Sequence, residues 1–240
     1  MKALLTSVGV ANDAIRTALV ELLGKPIAEC TAVHVPTAVY GLPEGLGYAT
    51  EMTRYWDALG WAELGTLELS TRPSLPEDLW RPALEAADVV LVAGGNSGYL
   101  SYWAHQTRFA ELLPGLVERA VYVGVSAGSC LLTPAYNYDR QRLADSGVYY
   151  DAEYAEAAPL GAGDARGVGL VDFHLRPHLN STDFDVDLSA AAMERAAGKV
   201  DGPLYAIDDQ SAIAVADGDI RVVSEGDWLL FNAETDGEDT

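Results

Sequence analysis

The chain is poor in cysteine, lysine and histidine, and it has no long apolar run. It has two cysteines, Cys30 and Cys130, and both lie within apolar stretches. We therefore expect buried thiols in a reducing cytoplasm and no disulfide framework. Membrane spans need about 18 consecutive apolar residues, so we expect none here. We also expect no secretory signal, because the N-terminus reads as a first strand.

Positive charge is also scarce. The 240 residues carry 36 acidic and 15 basic side chains, for a net charge of -21. Nucleic acid is excluded as a partner on this basis, because phosphate binding needs a basic surface. Hydrophobic residues make up 49% of the chain, which is typical of a globular protein. We expect a single domain over residues 1–233 and a disordered acidic tail over 234–240.

Strand-like and helix-like segments alternate along most of the chain. This alternation predicts an α/β fold with a mainly parallel sheet flanked by helices on both faces, and short antiparallel strands near the C-terminus. Asp217-Gly218 predicts a hairpin turn between two of those strands. The predicted strands are 2–10, 31–35, 66–69, 88–93, 121–126, 168–175, 204–207, 211–215, 219–223 and 228–231. The predicted helices are 12–23, 51–59, 76–86, 98–104 and 109–119, with a last one at 183–197.

A candidate nucleophile lies where an apolar strand meets a turn of small residues. Residues 121–123 are Val-Tyr-Val, and Gly124-Val-Ser126-Ala-Gly128 follows them. A G-x-S-x-G serine between a strand and a helix is held on a sharp turn, with its hydroxyl at the carboxyl edge of the sheet. The glycines leave room for that turn to pack. The alternative is an ordinary tight turn without chemistry.

Histidine supplies the base that a serine hydroxyl needs. Pro177 ends a strand and leaves His178 on a loop at the sheet edge, so we favour His178 over His174, which falls on the strand. His34 and His105 fit structural roles within a strand and at a helix end. A zinc site at His174 and His178 would need a helix, which Pro177 disfavours, so we expect no metal.

Acidic and glycine-rich turns complete the candidate site. Asp208-Asp209 follows a predicted strand and could orient the histidine, although both carboxylates could equally be solvated turn residues. Gly95 follows another strand, and its N–H together with that of Ala127 would form a two-donor oxyanion hole. The alternative is that Gly94-Gly95 only permits a tight turn.

Four motifs in register resemble peptidase family S51, which contains aspartyl dipeptidase (peptidase E) and cyanophycinase. The resemblance implies a class I glutamine amidotransferase-like fold, related to flavodoxin, and a cofactor-independent hydrolase. It further implies Ser126 as nucleophile, His178 as base, Asp209 as the third member, and Gly95 with Ala127 as oxyanion donors. The motifs are Ala93-Gly94-Gly95-Asn96, Gly124-Val-Ser126-Ala-Gly128, Pro177-His178 and Ile207-Asp208-Asp209.

One departure from the family concerns specificity. Aspartyl dipeptidases are expected to carry an arginine soon after the histidine, but residues 179–188 contain none. This departure argues against strict Asp-Xaa specificity. Arg176, or Arg140 or Arg142 from the long loop over residues 133–169, could substitute, although surface roles fit them better. Further substrate-binding candidates are Asn96 and Tyr136.

The sequence leaves three hypotheses. The first is a cytoplasmic serine exopeptidase, similar to dipeptidase E, that hydrolyses short peptides through an acyl-enzyme. The second is a cyanophycinase-like or esterase-like serine hydrolase. The third is a non-catalytic binding protein on the same fold. The expected partner is a small peptide, and a homo-oligomer stays open.

Overall fold

The computed structural model describes residues 1–43, 45–135, 167–184 and 186–233. The described strands form one sheet of seven strands and one of three. They are β1 (Lys2–Thr6), β2 (Thr31–Val35), β3 (Glu63–Thr66), β4 (Val89–Val92), β5 (Val121–Val125), β6 (His174–Arg176), β7 (Leu204–Ile207), β8 (Ser211–Ala216), β9 (Asp219–Ser224) and β10 (Trp228–Phe231). The described helices are α1 (Asp13–Leu23), α2 (Thr37–Tyr40), α3 (Gly45–Asp57), α4 (Glu77–Ala86), α5 (Ser97–Gln106), α6 (Phe109–Leu116), α7 (Ala127–Cys130) and α8 (Ala190–Ala197), with 3₁₀ turns at Ile27–Glu29 and Leu69–Ser74.

The large sheet is mainly parallel, as predicted. Its strand order is β3-β2-β4-β5-β1-β8-β9, and the first five strands in that order pair parallel. β8 and β9 add an antiparallel edge, joined at Asp217 and Gly218, which both have positive φ as a tight hairpin turn requires. The fold class is therefore the one the alternation indicates.

Helices cover both faces of the large sheet because its strands are apolar on both sides. In β1, Ala3 and Leu5 face one core, which includes side chains of α4, α5 and α6. Leu4 faces the other core, with side chains of α1 and α3. Leu4 and Leu5 are both fully buried. Burial of each such leucine contributes about 1.5–3 kcal/mol, so the centre of the sheet is a stable frame for the loops at its edge.

The C-terminal strands pair antiparallel as predicted, β8 with β9 in the large sheet and β7 with β10 in the small sheet. The order of the small sheet is β10-β7-β6, and β7 pairs antiparallel with β10 but parallel with β6. α8 packs on it through a third apolar cluster that includes Leu179, Met193 and Leu204. The parallel pair matters for function, because β6 and β7 both end at the same edge of their sheet.

Two predicted elements are shorter than their apolar patterns suggest. Residues 168–175 were predicted as one strand, but only His174–Arg176 pairs in the sheet. The N–H groups of Val168 and Leu170 bond instead to the carbonyls of Leu131 and Leu132, just after α7. The helix predicted over 183–197 begins at Ala190, since Ser189 caps it by accepting from the Ala192 N–H. Residues 177–188 are thus a loop in the described part.

Other boundaries moved by a few residues. The strand predicted over 66–69 is Glu63–Thr66, because the chain then turns into the 3₁₀ segment Leu69–Ser74, capped by the Glu68 side chain. The first strand ends at Thr6 and not at residue 10. Cys30 and Cys130 are buried free thiols, as expected. Within the described ranges, no helix is long and apolar enough to cross a membrane.

Candidate active site

Ser126 occupies a strained turn at the end of β5. Its φ of 47° and ψ of −109° are unusual for a residue with a side chain. The flanking glycines explain how the turn packs. A Cβ at Gly128 would lie 2.1 Å from the Val92 carbonyl oxygen, and one at Gly124 would lie 2.6 Å from the Ser129 nitrogen. Close packing therefore fixes the Ser126 hydroxyl at the carboxyl edge of the large sheet.

The structure brings Ser126, His178 and Asp209 into one hydrogen-bonded chain. His178 Nδ1 lies 2.7 Å from Asp209 Oδ1, and His178 Nε2 lies 2.9 Å from Ser126 Oγ. A carboxylate accepts hydrogen bonds, so the proton of a neutral ring resides on Nδ1 and Nε2 accepts from the serine hydroxyl. This is the tautomer in which the imidazole can take a proton from Ser126.

Asp209, and not Asp208, orients the histidine. Asp208 instead holds its own turn together: its carboxylate accepts from the N–H groups of Gln210 and Asp227 and from the Ser211 hydroxyl. The two adjacent carboxylates at the end of β7 therefore bond to different groups. The sequence could not tell which of them contacts His178, because that depends on the direction in which each side chain points.

Two backbone amides lie near the serine. Gly95 has a φ of 135°, and a Cβ there would lie 2.4 Å from the Ala38 carbonyl oxygen, so only glycine fits. A Cβ at Gly94 would lie 3.1 Å from the Ser126 Cβ, which shows how closely this loop passes the serine. Among the described residues, the N–H groups of Gly95 and Ala127 donate no backbone hydrogen bond. Gly95 belongs to the described lining of the cleft, whereas Ala127 is buried beside Ser126.

Gly95, Ser126, His178 and Asp209 line a cleft of about 720 Å³. One wall is apolar and aromatic, with Tyr48 and Phe184, and the Phe184 ring lies 4.6 Å from that of His178. Burial, and then the Glu51 carboxylate, raise the pKa of Tyr48. The described lining residues are Ser7, Val8, Leu42, Gly47, Tyr48, Glu51, Gly94, Gly95, Val125, Ser126, His178, Asp183, Phe184 and Asp209.

The other three histidines have different surroundings. His34 is fully buried in β2, and burial lowers its pKa to about 4. The ring nitrogens of His174 lie 3.3 Å and 3.2 Å from the carbonyl oxygens of Ala135 and Asp201. His105 lies in the last turn of α5. In the described ranges, no group of three or more potential metal-ligating side chains is present.

Two of the predicted substrate contacts, Asn96 and Arg176, are not among the described lining residues of the cleft. Asn96 is buried and caps α5, accepting from the Tyr99 N–H. Arg176 lies on β6. The structure therefore does not bring these two residues to the described lining of the cleft. Tyr136, Arg140 and Arg142 lie outside the described residues.

Sequence reasoning did not single out Ser7 and Phe184, which both contact His178. Ser7 follows β1, and its hydroxyl accepts from the His178 N–H at 3.1 Å. Loops at the carboxyl ends of parallel strands meet at one edge of the sheet, and this rule located Gly95 and Ser126. Ser7 follows the parallel strand β1, so the same rule could have pointed to it. Phe184 fell inside a segment predicted as helix, so no signal pointed to its contact with His178.

Comparisons with known proteins agree with this fold. The sequence model of peptidase family S51 matches residues 3–223. The comparison with curated proteins gave no match. Among solved structures, a Listeria monocytogenes EGD-e protein called a "putative peptidase E" is 20% identical with a TM-score of 0.68, covering 94% of this chain and 98% of its own. A peptidase from an acI-B1 actinobacterium is 17% identical with a TM-score of 0.58, covering 98% of this chain and 95% of its own.

The two structural likenesses concern the fold alone. The family match is broader evidence, since it spans nearly all of the chain, from β1 to β9. It includes the serine turn, the histidine loop and the acidic pair described above. The chain belongs to peptidase family S51 and is a serine-type peptidase.

Proposed function

We propose that this protein is a serine exopeptidase that hydrolyses short peptides through an acyl-enzyme on Ser126. His178 is the general base, Asp209 orients and stabilises its ring, and Gly95 and Ala127 donate to the oxyanion. The single observation that carries the proposal is the continuous hydrogen-bonded chain from Asp209 through His178 to the serine hydroxyl, with distances of 2.7 Å and 2.9 Å. It ends inside the cleft.

The steps follow from the positions of these groups. His178 Nε2 takes the hydroxyl proton as Ser126 Oγ attacks the scissile carbonyl carbon. The carbonyl oxygen becomes an oxyanion between the two backbone N–H donors. The imidazolium, stabilised by Asp209, then donates its proton to the leaving amine. A water molecule, deprotonated by the same imidazole, then attacks the acyl carbon. The bond to Ser126 Oγ breaks, the imidazolium returns its proton to Oγ, and the acid leaves.

Cleft size supports a short substrate. A volume of about 720 Å³ is in the range of sites that enclose drug-sized ligands, which suits a dipeptide or tripeptide and not a long polypeptide chain. A purified enzyme should therefore cleave dipeptides while leaving casein intact. Rapid casein degradation would contradict the exopeptidase assignment.

Ser126→Ala provides the direct test of the nucleophile. We expect kcat/KM for a hydrolysed dipeptide to fall about 10⁴-fold or more, with an unchanged circular dichroism spectrum. A fluorophosphonate probe should label the wild type, label His178→Ala much more slowly, and not label Ser126→Ala. Ser74→Ala, which removes an exposed hydroxyl elsewhere, is the matched control and should behave as the wild type. Retained hydrolysis by pure Ser126→Ala would refute the mechanism.

The negative charge in the cleft disfavours peptides whose first residue is aspartate. The carboxylates of Glu51, Asp183 and Asp209 belong to the described lining, and no lysine or arginine does. A substrate carboxylate would meet like charges there, while a neutral or cationic side chain would not. We therefore propose that the enzyme lacks strict Asp-Xaa specificity.

Near-isosteric substrates test this preference. Asn-Leu should be hydrolysed at least as well as Asp-Leu, and Arg-Leu better than citrullyl-leucine. Glu51→Gln should lower the ratio of kcat/KM for the arginyl and citrullyl substrates about two- to fivefold, as expected for a partly exposed charge pair. Glu118→Gln removes the same charge from an exposed position outside the described cleft lining and should leave the ratio unchanged. Strong preference for Asp-Leu over Asn-Leu would overturn this part of the proposal.

A further inference from the structure

The hydroxyl of Ser7 joins the loops that carry His178 and Asp209. Ser7 directly follows β1 and is 1% exposed. Its Oγ accepts from the His178 N–H at 3.1 Å and donates to the Ile207 carbonyl at 3.2 Å. The same carbonyl accepts from the Leu179 N–H at 2.9 Å. Ile207 ends β7, two residues before Asp209, so one buried hydroxyl bonds to the backbone on both sides of the imidazole–carboxylate pair.

The neighbouring residue of β1 holds the nucleophile. The Thr6 carbonyl accepts from the Ser126 N–H at 2.9 Å and from the Ser129 hydroxyl at 2.7 Å. The Thr6 N–H donates back to Ser129 Oγ at 2.8 Å. The dipeptide Thr6-Ser7 therefore contacts all three loops of the triad, although these loops are far apart in the sequence.

The histidine loop needs such an anchor. His178 and Asn180 have φ values of 63° and 61°, in the left-handed region that costs free energy for residues with side chains. His178 belongs to the loop after β6, while Ser126 follows a strand of the other sheet. The distance between His178 Nε2 and Ser126 Oγ therefore depends on bonds that cross from one sheet to the other.

We infer that Ser7 is a positioning residue for the triad: its hydroxyl holds the His178 backbone against β1 and so keeps the imidazole in reach of Ser126. This inference rests on the proposed function. Without the hydroxyl, the Ile207 carbonyl keeps its bond from Leu179, but the His178 N–H loses its acceptor. The residue at φ 63° is then free to relax, and displacements of about 1 Å at a reacting group cost on the order of 100-fold in rate.

Four variants test the inference. Ser7→Ala should lower kcat about 10- to 100-fold with KM changed less than about threefold, and fluorophosphonate labelling of Ser126 should slow by a similar factor. Ser7→Thr keeps a hydroxyl and should recover most of kcat. If its methyl group prevents folding, Ser7→Cys supplies a weaker hydrogen-bonding group and should give intermediate rates.

Thr107→Ala is the matched control. Thr107 is 8% exposed, and its hydroxyl donates to the Trp103 carbonyl at 2.6 Å. It follows α5, whose ten residues separate it by about 15 Å of helix from the Gly95 loop. Thr107→Ala should lower the thermal midpoint about as much as Ser7→Ala does, while kcat and the labelling rate stay at the wild-type values.

A proton NMR measurement supplies a readout that needs no turnover. The proton between His178 Nδ1 and Asp209 should give a low-field resonance in the wild type and in Thr107→Ala, and it should shift or broaden in Ser7→Ala. The inference is overturned if Ser7→Ala leaves this resonance and the labelling rate unchanged, or if it lowers kcat no more than Thr107→Ala. Failure of the proposed function is distinct: Ser126→Ala would then keep its activity, whatever the Ser7 variants do.

Discussion

The two sheets contribute unlike halves of the site. The large sheet supplies Ser126, Gly95 and Ala127 from loops after strands that are buried on both faces. The small sheet supplies His178 and Asp209 after strands of three and four residues, and its edge strand β10 leaves Trp228 42% exposed. The proposed nucleophile Ser126 thus lies on a closely packed sheet, while the proposed base His178 lies on a smaller sheet that hydrogen bonds connect to the large one.

Backbone strain is found on both sides but is held in different ways. The backbone around Ser126 is so closely packed that a Cβ at Gly124 or Gly128 would overlap neighbouring backbone atoms. His178, with φ 63°, is held by hydrogen bonds to its loop, including that from its N–H to Ser7. Substitutions that crowd the serine turn should therefore act mainly on folding stability, and those that remove a group bonded to the His178 imidazole mainly on turnover.

The sharpest test of this contrast compares the two adjacent aspartates of the small sheet. Asp209→Asn should lower kcat about 10³- to 10⁴-fold with little change in stability, because the amide no longer fixes the imidazole tautomer. Asp208→Asn should leave kcat within about threefold and destabilise the fold by about 1–2 kcal/mol, since this carboxylate accepts three hydrogen bonds in its turn. Steady-state kinetics and urea unfolding measure both effects. A reversed pattern would assign the orienting role to Asp208.

On the large sheet, Gly128→Ala should act on folding. The new Cβ would lie 2.1 Å from the Val92 carbonyl oxygen, and neither backbone segment can give way easily. We expect destabilisation of about 3 kcal/mol or more. Gly115→Ala is the matched control, because no atom lies within 4 Å of a Cβ there and alanine favours the helix by about 1 kcal/mol. Equal stability of the two variants in urea would show that the serine turn is not closely packed.

Acid should destabilise the large sheet through His34. Burial lowers its folded-state pKa to about 4 against an ordinary value of 6.5, so the unfolded chain binds a proton first as the pH falls. The linked loss of stability develops between pH 6.5 and 4 and amounts to about 3 kcal/mol at most. His34→Leu should flatten the pH dependence of urea unfolding in this window. If both proteins lose stability equally on acidification, His34 does not titrate as described.

The sequence predicted the large sheet better than the small one for a physical reason. Thr31–Val35 was predicted with its observed bounds, since a short segment rich in β-branched residues that ends at a proline marks a strand. Residues 168–175 have a similar apolar content. Their first part does not join a sheet, because the N–H groups of Val168 and Leu170 bond to the carbonyls of Leu131 and Leu132, just after α7. Local periodicity cannot tell a strand from an apolar segment that covers another element.

The prediction of the candidate site is limited in the same way, because the sequence does not show which distant residues meet. Strand ends located Ser126, His178 and Asp209, because parallel strands deliver their following loops to one edge. Their roles in turnover stay predictions until the variants are measured. Ser7 escaped notice because its partner His178 is 171 residues away. Asn96 caps α5, and a buried helix cap and a substrate contact look alike in sequence.

The smallest effect that we expect is at Phe184, in the loop that also carries His178. The Phe184 ring is 45% exposed and lies 4.6 Å from the His178 ring, so it shields one side of the base without bonding to it. Phe184→Ala should lower kcat/KM about two- to fivefold while leaving the thermal midpoint unchanged, because an exposed ring contributes little to the core. Leu79→Ala, at a residue 68% exposed on α4, should change neither quantity. A stability loss in Phe184→Ala as large as that of Gly128→Ala would mean that this loop also belongs to the packed frame.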